Sequence, residues 1–292
     1  MRKYIGEIGL IIVAIIWGSG FTATAMTLKA YTPYQSMAVR FLIGAIFLAI
    51  IFHKQLKAIQ RSTLIKGVIL GVILYIAFAL QTVGLSYTTP SKNAFLTAVN
   101  VIAVPIICYM LFKQRLDRFE VTGAFLTIVG IGLLSIDFSG AINIGDVLSL
   151  LCAFAFAFHI IFTGKFVETE KPVPLTIIQF SSAAIIGFVV LLLRGEMHFP
   201  IETTPLVSLI YLGVFSTGIA FFLQTYAQQF VSETKAAIIL STEAVWGMFF
   251  SIIIIQEIVT LKMALGAAII IVAILITELK HRIFFQRRTA LK

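Results

Sequence analysis

Glu243 lies in a run from Ala236 to Ile255 that carries no other charge. A bare carboxylate at the centre of a hydrocarbon layer costs roughly 2.5–3.5 kcal/mol even on insertion-based scales. A retained acid of this kind is a proton or substrate site, or it is a protonated side chain hydrogen-bonded between helices. It comes eighth in its run, about 10–12 Å along a helix at 1.5 Å per residue, beyond easy reach of either surface. Arg40 sits several residues inside the apolar run 34–52 and needs a partner there: a substrate carboxylate, Glu243, or carbonyls and headgroups at the span end. Gln81 and Gln224 are polar groups in two further apolar runs, able to line a cavity or to lock neighbouring helices. His159 reads as a proton relay or as hydrogen-bonded packing.

Lys92 and Lys235 open two runs in matching contexts, Thr89-Pro90-Ser91-Lys92 and Ser232-Glu233-Thr234-Lys235. Thr89 and Ser232 have the types of N-caps, and Pro90 and Glu233 suit a first helical turn. A lysine in that turn opposes the helix dipole. The pair reads either as anion-attracting gates or as snorkelling at the headgroups. Trp17, Tyr75, Trp246 and Phe222 offer walls for an apolar or aromatic cargo, or faces toward lipid and neighbouring helices. Gly67 and Gly71 form a GxxxG, suited to close helix packing or a homodimer contact.

Other chemistries lack their residues. His53, His159, His198 and His281 are scattered, and no H-E-x-x-H, G-x-S-x-G or P-loop pattern occurs, so no metal or cofactor is expected and no enzyme activity. Gly18-Ser19-Gly20 lies inside an apolar run and cannot follow a strand as a dinucleotide loop must. Cys108 and Cys152 also lie in apolar runs, and free buried thiols are expected.

The elements that carry these groups follow from composition. The chain has 292 residues, 60% hydrophobic and 12% charged, about half the charge of soluble domains. Ten windows reach spanning length or close to it: 7–27, 34–52, 67–86, 93–112, 119–138, 146–164, 174–193, 206–228, 236–255 and 262–279. The runs are continuously apolar, so the expected fold class is an all-α membrane protein with ten transmembrane helices, not a β-barrel. Seventeen of the 22 Lys and Arg fall on the side of the termini, four fall on the other, and Arg40 lies within a span. That asymmetry predicts a multi-pass protein of the cytoplasmic membrane with both termini cytoplasmic. It also accounts for the net charge of +9 without a nucleic-acid partner.

A repeat organises the spans. Shifted by 143 residues, Leu80-Gln81-Thr82 falls on Leu223-Gln224-Thr225, Lys92 on Lys235, and Gly123-Ala124 on Gly266-Ala267. Asn100 falls on Glu243, so two polar groups at matching depth suggest one chamber built from both halves. A shift of 139 places Arg40-Phe41 on Gln179-Phe180 and Trp17 on Phe156. The expected units are 1–140 and 141–292, five spans each. An odd number of spans inverts the second copy, an architecture of secondary transporters with sites near mid-membrane.

The stretches IIWGSGF, VRFLIGA, ALQTVGLSYTTPSKNAFLTAVNVIAVPII and FFLQTYAQQFVSETKAAIILSTEAVWGMFFS, with IGLLS and ILITE closing the halves, resemble the drug/metabolite transporter superfamily, EamA type. The resemblance implies a secondary carrier, often an exporter, of amino acids and other small metabolites, with protons as one coupling option. It departs from the usual pattern twice. Ala244 follows Glu243 where proline is usual, and Gln114 stands where a glutamate is often found, although Glu257 keeps it before the tenth span. The alternatives from the residues are a channel, a lipid scramblase or a non-transporting structural membrane protein.

Overall fold

A computed structural model describes residues 2–113, 118–135 and 143–289; Gln114 and the expected boundary at 140/141 lie outside them. Ten helices follow one another: α1 (Arg2–Thr27), α2 (Pro33–Ile51), α3 (Arg61–Leu85), α4 (Pro90–Phe112), α5 (Arg118–Ser135), α6 (Ile144–Phe166), α7 (Pro172–Arg194), α8 (Thr203–Ala227), α9 (Glu233–Ile255) and α10 (Leu261–Thr289). Eight are long and apolar enough to cross a membrane, and the apolar parts of α5 and α10, Val121–Leu133 and Leu261–Ala273, are shorter. No strand occurs among the described residues. Large side chains such as Ile46, Phe125, Ile185 and Leu193 point outward, as helices with lipid on one side require.

Local chemistry sets the ends. Thr32 caps α2 through a reciprocal box with Gln35, ahead of Pro33. Thr89 accepts from the Lys92 amide at the start of α4, as expected, whereas Ser232 takes the capping position of α9 without a side-chain bond. Lys113 after α4 and Gln256 after α9 are both left-handed, at φ 56° and 55°. They are 143 residues apart, so even these unfavourable caps repeat.

The packing repeats as well. Helix α1 packs on α8 and α9, as α6 packs on α3 and α4; α2 packs on α8 as α7 packs on α3. The remaining main pairings, α2 with α7, α4 with α9 and α5 with α10, map onto themselves when each helix is exchanged for the one five places away. Ten helices thus form two inverted five-helix repeats whose cores lie between the halves. Glycines let the crossings close. A Cβ on Gly145 would meet the Gly84 carbonyl at 2.5 Å, and one on its repeat mate Gly6 would meet the Ala227 carbonyl at 3.2 Å. Gly67 and Gly71 face Ile178, Gln179 and Ser182 of α7, so their small size serves packing within the chain.

Candidate functional site

The two helices that carry Asn100 and Glu243 are interrupted at the same register. In α4 the amides of Val99, Val101 and Ile102 reach back three residues, to Leu96, Ala98 and Val99. In α9 those of Thr242, Ala244 and Val245 do the same, to Ile239, Ser241 and Thr242. The Ser241 and Thr242 hydroxyls donate to the Ile238 and Ile239 carbonyls in that tightened stretch. Mid-helix turns of this kind often mark hinges. Each second half-helix then begins on the polar residue itself, Asn100 or Glu243. The sequence reading expected one continuous helix here; apolar periodicity is blind to a tightened turn that keeps the same face.

Helix α8 departs differently, with a wide π turn at Leu212–Ile219. It frees the Ser216 carbonyl to accept from the Trp17 indole at 2.9 Å. It also aims two hydroxyls at Arg40, whose Nε donates to Thr217 at 3.0 Å and whose Nη2 donates to Ser216 at 3.2 Å. The guanidinium lies 4.3 Å from the Phe78 ring centroid. Arg40 is 2% exposed and makes no ion pair among the described residues. Glu243 is 4% exposed, and its carboxyl has neither a hydrogen bond nor an ion pair among them. The expected Arg40–Glu243 pair is therefore not formed.

Both groups line one hollow of about 570 Å³, its mouth included. The lining comes largely as repeat mates: Trp17 with Phe156, Gly20 with His159, Phe21 with Ile160, Phe78 with Phe221, Gln81 with Gln224, and Asn100 with Glu243. Phe78, Phe156 and Phe221 form one aromatic wall, with ring centroids 5.3 and 5.8 Å from Phe78, and Trp17 joins it 4.6 Å from Phe221. Several polar atoms of the lining are buried without a partner: Asn100 Oδ1, Asn93 Oδ1, His159 Nδ1 and both amide atoms of Gln224. The other His159 nitrogen lies 3.0 Å from Gln179 Oε1. Orphaned polar groups at this depth cost stability, and a polar guest is what would satisfy them.

The hollow is lopsided. It reaches Thr24, Leu85, Asn93 and Thr97 toward the face opposite the termini. Their repeat mates Thr163, Gln228, Ala236 and Leu240 are buried and do not line it. On that terminal side Gln228 closes onto the Ile160 carbonyl at 2.9 Å.

Of the residues singled out from sequence, Glu243, Asn100, Arg40, Gln81, Gln224, His159 and Trp17 share this hollow. The structure places five elsewhere. Phe222 packs on Phe52 and Tyr226. Tyr75 is in the core between α2, α3 and α7. Trp246 packs on Phe249 and Phe250 at the α1–α9 crossing. Lys92 and Lys235 sit at opposite ends of the molecule beside Asp146 and Glu7. Phe78, Phe221, Asn93, Thr97 and Ser216 were missed. A signal existed for the phenylalanines, since Ile76-Ala77-Phe78 repeats as Ile219-Ala220-Phe221 in the register of the glutamines. Cys108 and Cys152 are both buried, as expected, and no disulfide joins them.

Known proteins resemble the whole chain. The EamA-like transporter family matches twice, over residues 4–136 and 143–279. An uncharacterized transporter of Archaeoglobus fulgidus is 32% identical over 280 residues, 96% of this chain and 88% of the relative. The uncharacterized transporter YdfC of Bacillus subtilis is 24% identical over 272 residues, covering 91% and 88%. A solved crystal structure superposes with a TM-score of 0.72 at 16% identity, covering 96% of this chain and 98% of the other, which speaks for the fold alone.

Proposed function

This chain belongs to the EamA-like transporter family, and from that premise we propose that it is a secondary carrier exporting small amphoteric metabolites, amino acids foremost, by alternating access. One observation carries the reading: a buried cation and a buried carboxyl, Arg40 and Glu243, face one inter-repeat hollow without pairing with each other. A guest bearing a carboxylate and an ammonium group complements both. Arg40 would take the carboxylate, with Ser216 and Thr217 holding its fork in place. Glu243 would receive the ammonium group, or a proton when the site is empty. The aromatic wall accepts an apolar side chain, and the orphaned amides of Asn100 and Gln224 supply adaptable hydrogen bonds. The inverted repeat supports alternation, because exchanging the conformations of similar halves yields states of similar energy. The charge asymmetry supports a cell membrane with both termini cytoplasmic.

The test begins with amino acids and other metabolites released by cells with and without the overproduced protein. The most enriched compound is then followed in proteoliposomes containing wild type or Glu243→Gln, with and without a pH gradient. Gradient-driven flux in wild type and gradient-insensitive flux in the variant are expected. Equal, pH-insensitive rates in both would remove the proton role.

A further inference from the structure

The two lysines that open α4 and α9 are 143 residues apart. Their carboxylate partners are also repeat mates, but at the other offset: Glu7 of α1 and Asp146 of α6 are 139 apart, and each follows a crossing glycine, Gly6 and Gly145. Lys235 Nζ lies 2.6 Å from Glu7 Oε1 on the terminal side. Lys92 Nζ lies 3.9 Å from Asp146 Oδ2 on the opposite side, where Thr88 donates to Asp146 Oδ1 at 2.6 Å. Four residues on four helices thus make one ion pair at each end, related by the symmetry of the fold. The two are unequal: one is in direct contact, the other at the outer edge of contact.

The inequality follows the lopsided hollow. The hollow reaches Asn93 and Thr97, on the side of the stretched pair, and does not reach Ala236 and Leu240, on the side of the tight one. We propose that Glu7–Lys235 and Asp146–Lys92 are reciprocal latches, each tight when its own face is sealed and stretched when the hollow reaches toward that face. The proposal rests on the carrier reading above. It explains why a lysine occupies a first helical turn twice against the dipole: a carboxylate on the neighbouring helix offsets it. It assigns Glu7 and Asp146 as positioning residues that touch no cargo. Partly exposed pairs contribute modestly, and modest is sufficient here, since states of similar energy respond to a small bias.

The experiment uses the full chain with Cys108→Ala and Cys152→Ala. A reporter cysteine replaces Thr24, which lines the hollow toward one face, or its repeat mate Thr163, which is buried outside the hollow on the other side. Proteoliposomes are treated with a membrane-impermeant maleimide from each side. Glu7→Gln is expected to raise labelling of Thr163→Cys by about two- to five-fold and to lower that of Thr24→Cys, and Asp146→Asn to do the reverse. The exchange Glu7→Lys with Lys235→Glu restores the pair and should return both rates to the parent's. It also keeps the proposal testable if Glu7→Gln folds poorly. Unchanged rates, shifts in the same direction from both single variants, or no rescue by the exchange overturns the latches. If the parent labels measurably at both reporters, alternation stands and such a result sinks the latches alone. A parent in which Thr163→Cys never reacts overturns both.

Discussion

Arg40 is held by a geometry that only a guanidinium fits. Its Nε and Nη2 reach two adjacent hydroxyls, on Thr217 and Ser216, while its Cζ lies over the Phe78 ring. An ammonium is a compact point charge and cannot reproduce the planar fork that reaches both hydroxyls from two nitrogens. Arg40→Lys is therefore expected to raise the KM for a carboxylate-bearing cargo about ten-fold or more, the equivalent of ~1.4 kcal/mol, with a smaller effect on the maximal rate. An unchanged KM would remove Arg40 from the cargo's path. Residues of this kind were legible because an intramembrane charge is expensive: Arg40 and Glu243 stood out, and the repeat added Asn100, Gln81 and Gln224. What stayed hidden was direction. Tyr75 and Trp246 have the same types as Trp17 and Phe78, and nothing in an apolar run says which side of its helix meets the hollow. Glu7 and Asp146 stayed hidden for another reason. The halves align at 143 in their later spans and at 139 in their earlier ones, so no single shift sets both the lysines and their carboxylates in register.

At the scale of helices, the regular pattern announced the elements, and the departures from regularity shape the site. Three spans break near mid-depth: the tightened turns before Asn100 and Glu243, and the π turn that presents Ser216. The two tightened turns were not readable, since neither Leu96 to Asn100 nor Leu240 to Glu243 holds a glycine or proline to announce a break. The start of α4, by contrast, followed its capping residue Thr89, and another helix end carries a tie worth testing. Glu170, between α6 and α7, accepts from Ser62 at 2.7 Å, Thr63 at 2.5 Å and Lys66 at 2.6 Å at the start of α3. The Lys66 ammonium, then the Thr63 hydroxyl, hold its carboxyl down to about 2 from an ordinary 4.5. A carboxyl depressed in the fold stabilises it above about pH 4.5, and that contribution is lost as pH falls toward 2. Glu170→Gln should thus lower the thermal midpoint at pH 7, by several degrees if the charged bonds contribute about 1–3 kcal/mol. The gap between variant and wild type should narrow as the medium is acidified from pH 5 to pH 3. A constant gap across that range would mean that the charge of Glu170 does not carry the tie.

For the molecule as a whole, the question is whether the hollow belongs to a carrier or to a pore. A channel or scramblase could share ten helices, buried polar groups and even the repeat. A pore, however, needs a path that is wet at both ends at once, and here the ends differ. Thr24, Asn93 and Thr97 line the hollow on one side, while Thr163, Ala236 and Leu240, their structural equivalents, do not line it on the other. Symmetric sequence in an asymmetric arrangement is the expected signature of one state out of two. The consequence is kinetic. In a carrier of the kind proposed, each crossing takes a bound guest through the change of state, so flux would saturate, and cargo on the far side would accelerate exchange of labelled cargo on the near side. Proteoliposomes preloaded with the compound most enriched by overproduction should therefore take up its radiolabelled form faster, and to a transient excess, compared with empty ones. Gly145→Leu gives an internal check: its side chain would strike the Gly84 carbonyl at the α3–α6 crossing, costing about 1–3 kcal/mol or more, so stability and counterflow should fall together. Linear, non-saturating flux without counterflow in the wild type would instead describe a pore, and the lopsided hollow would then need another cause.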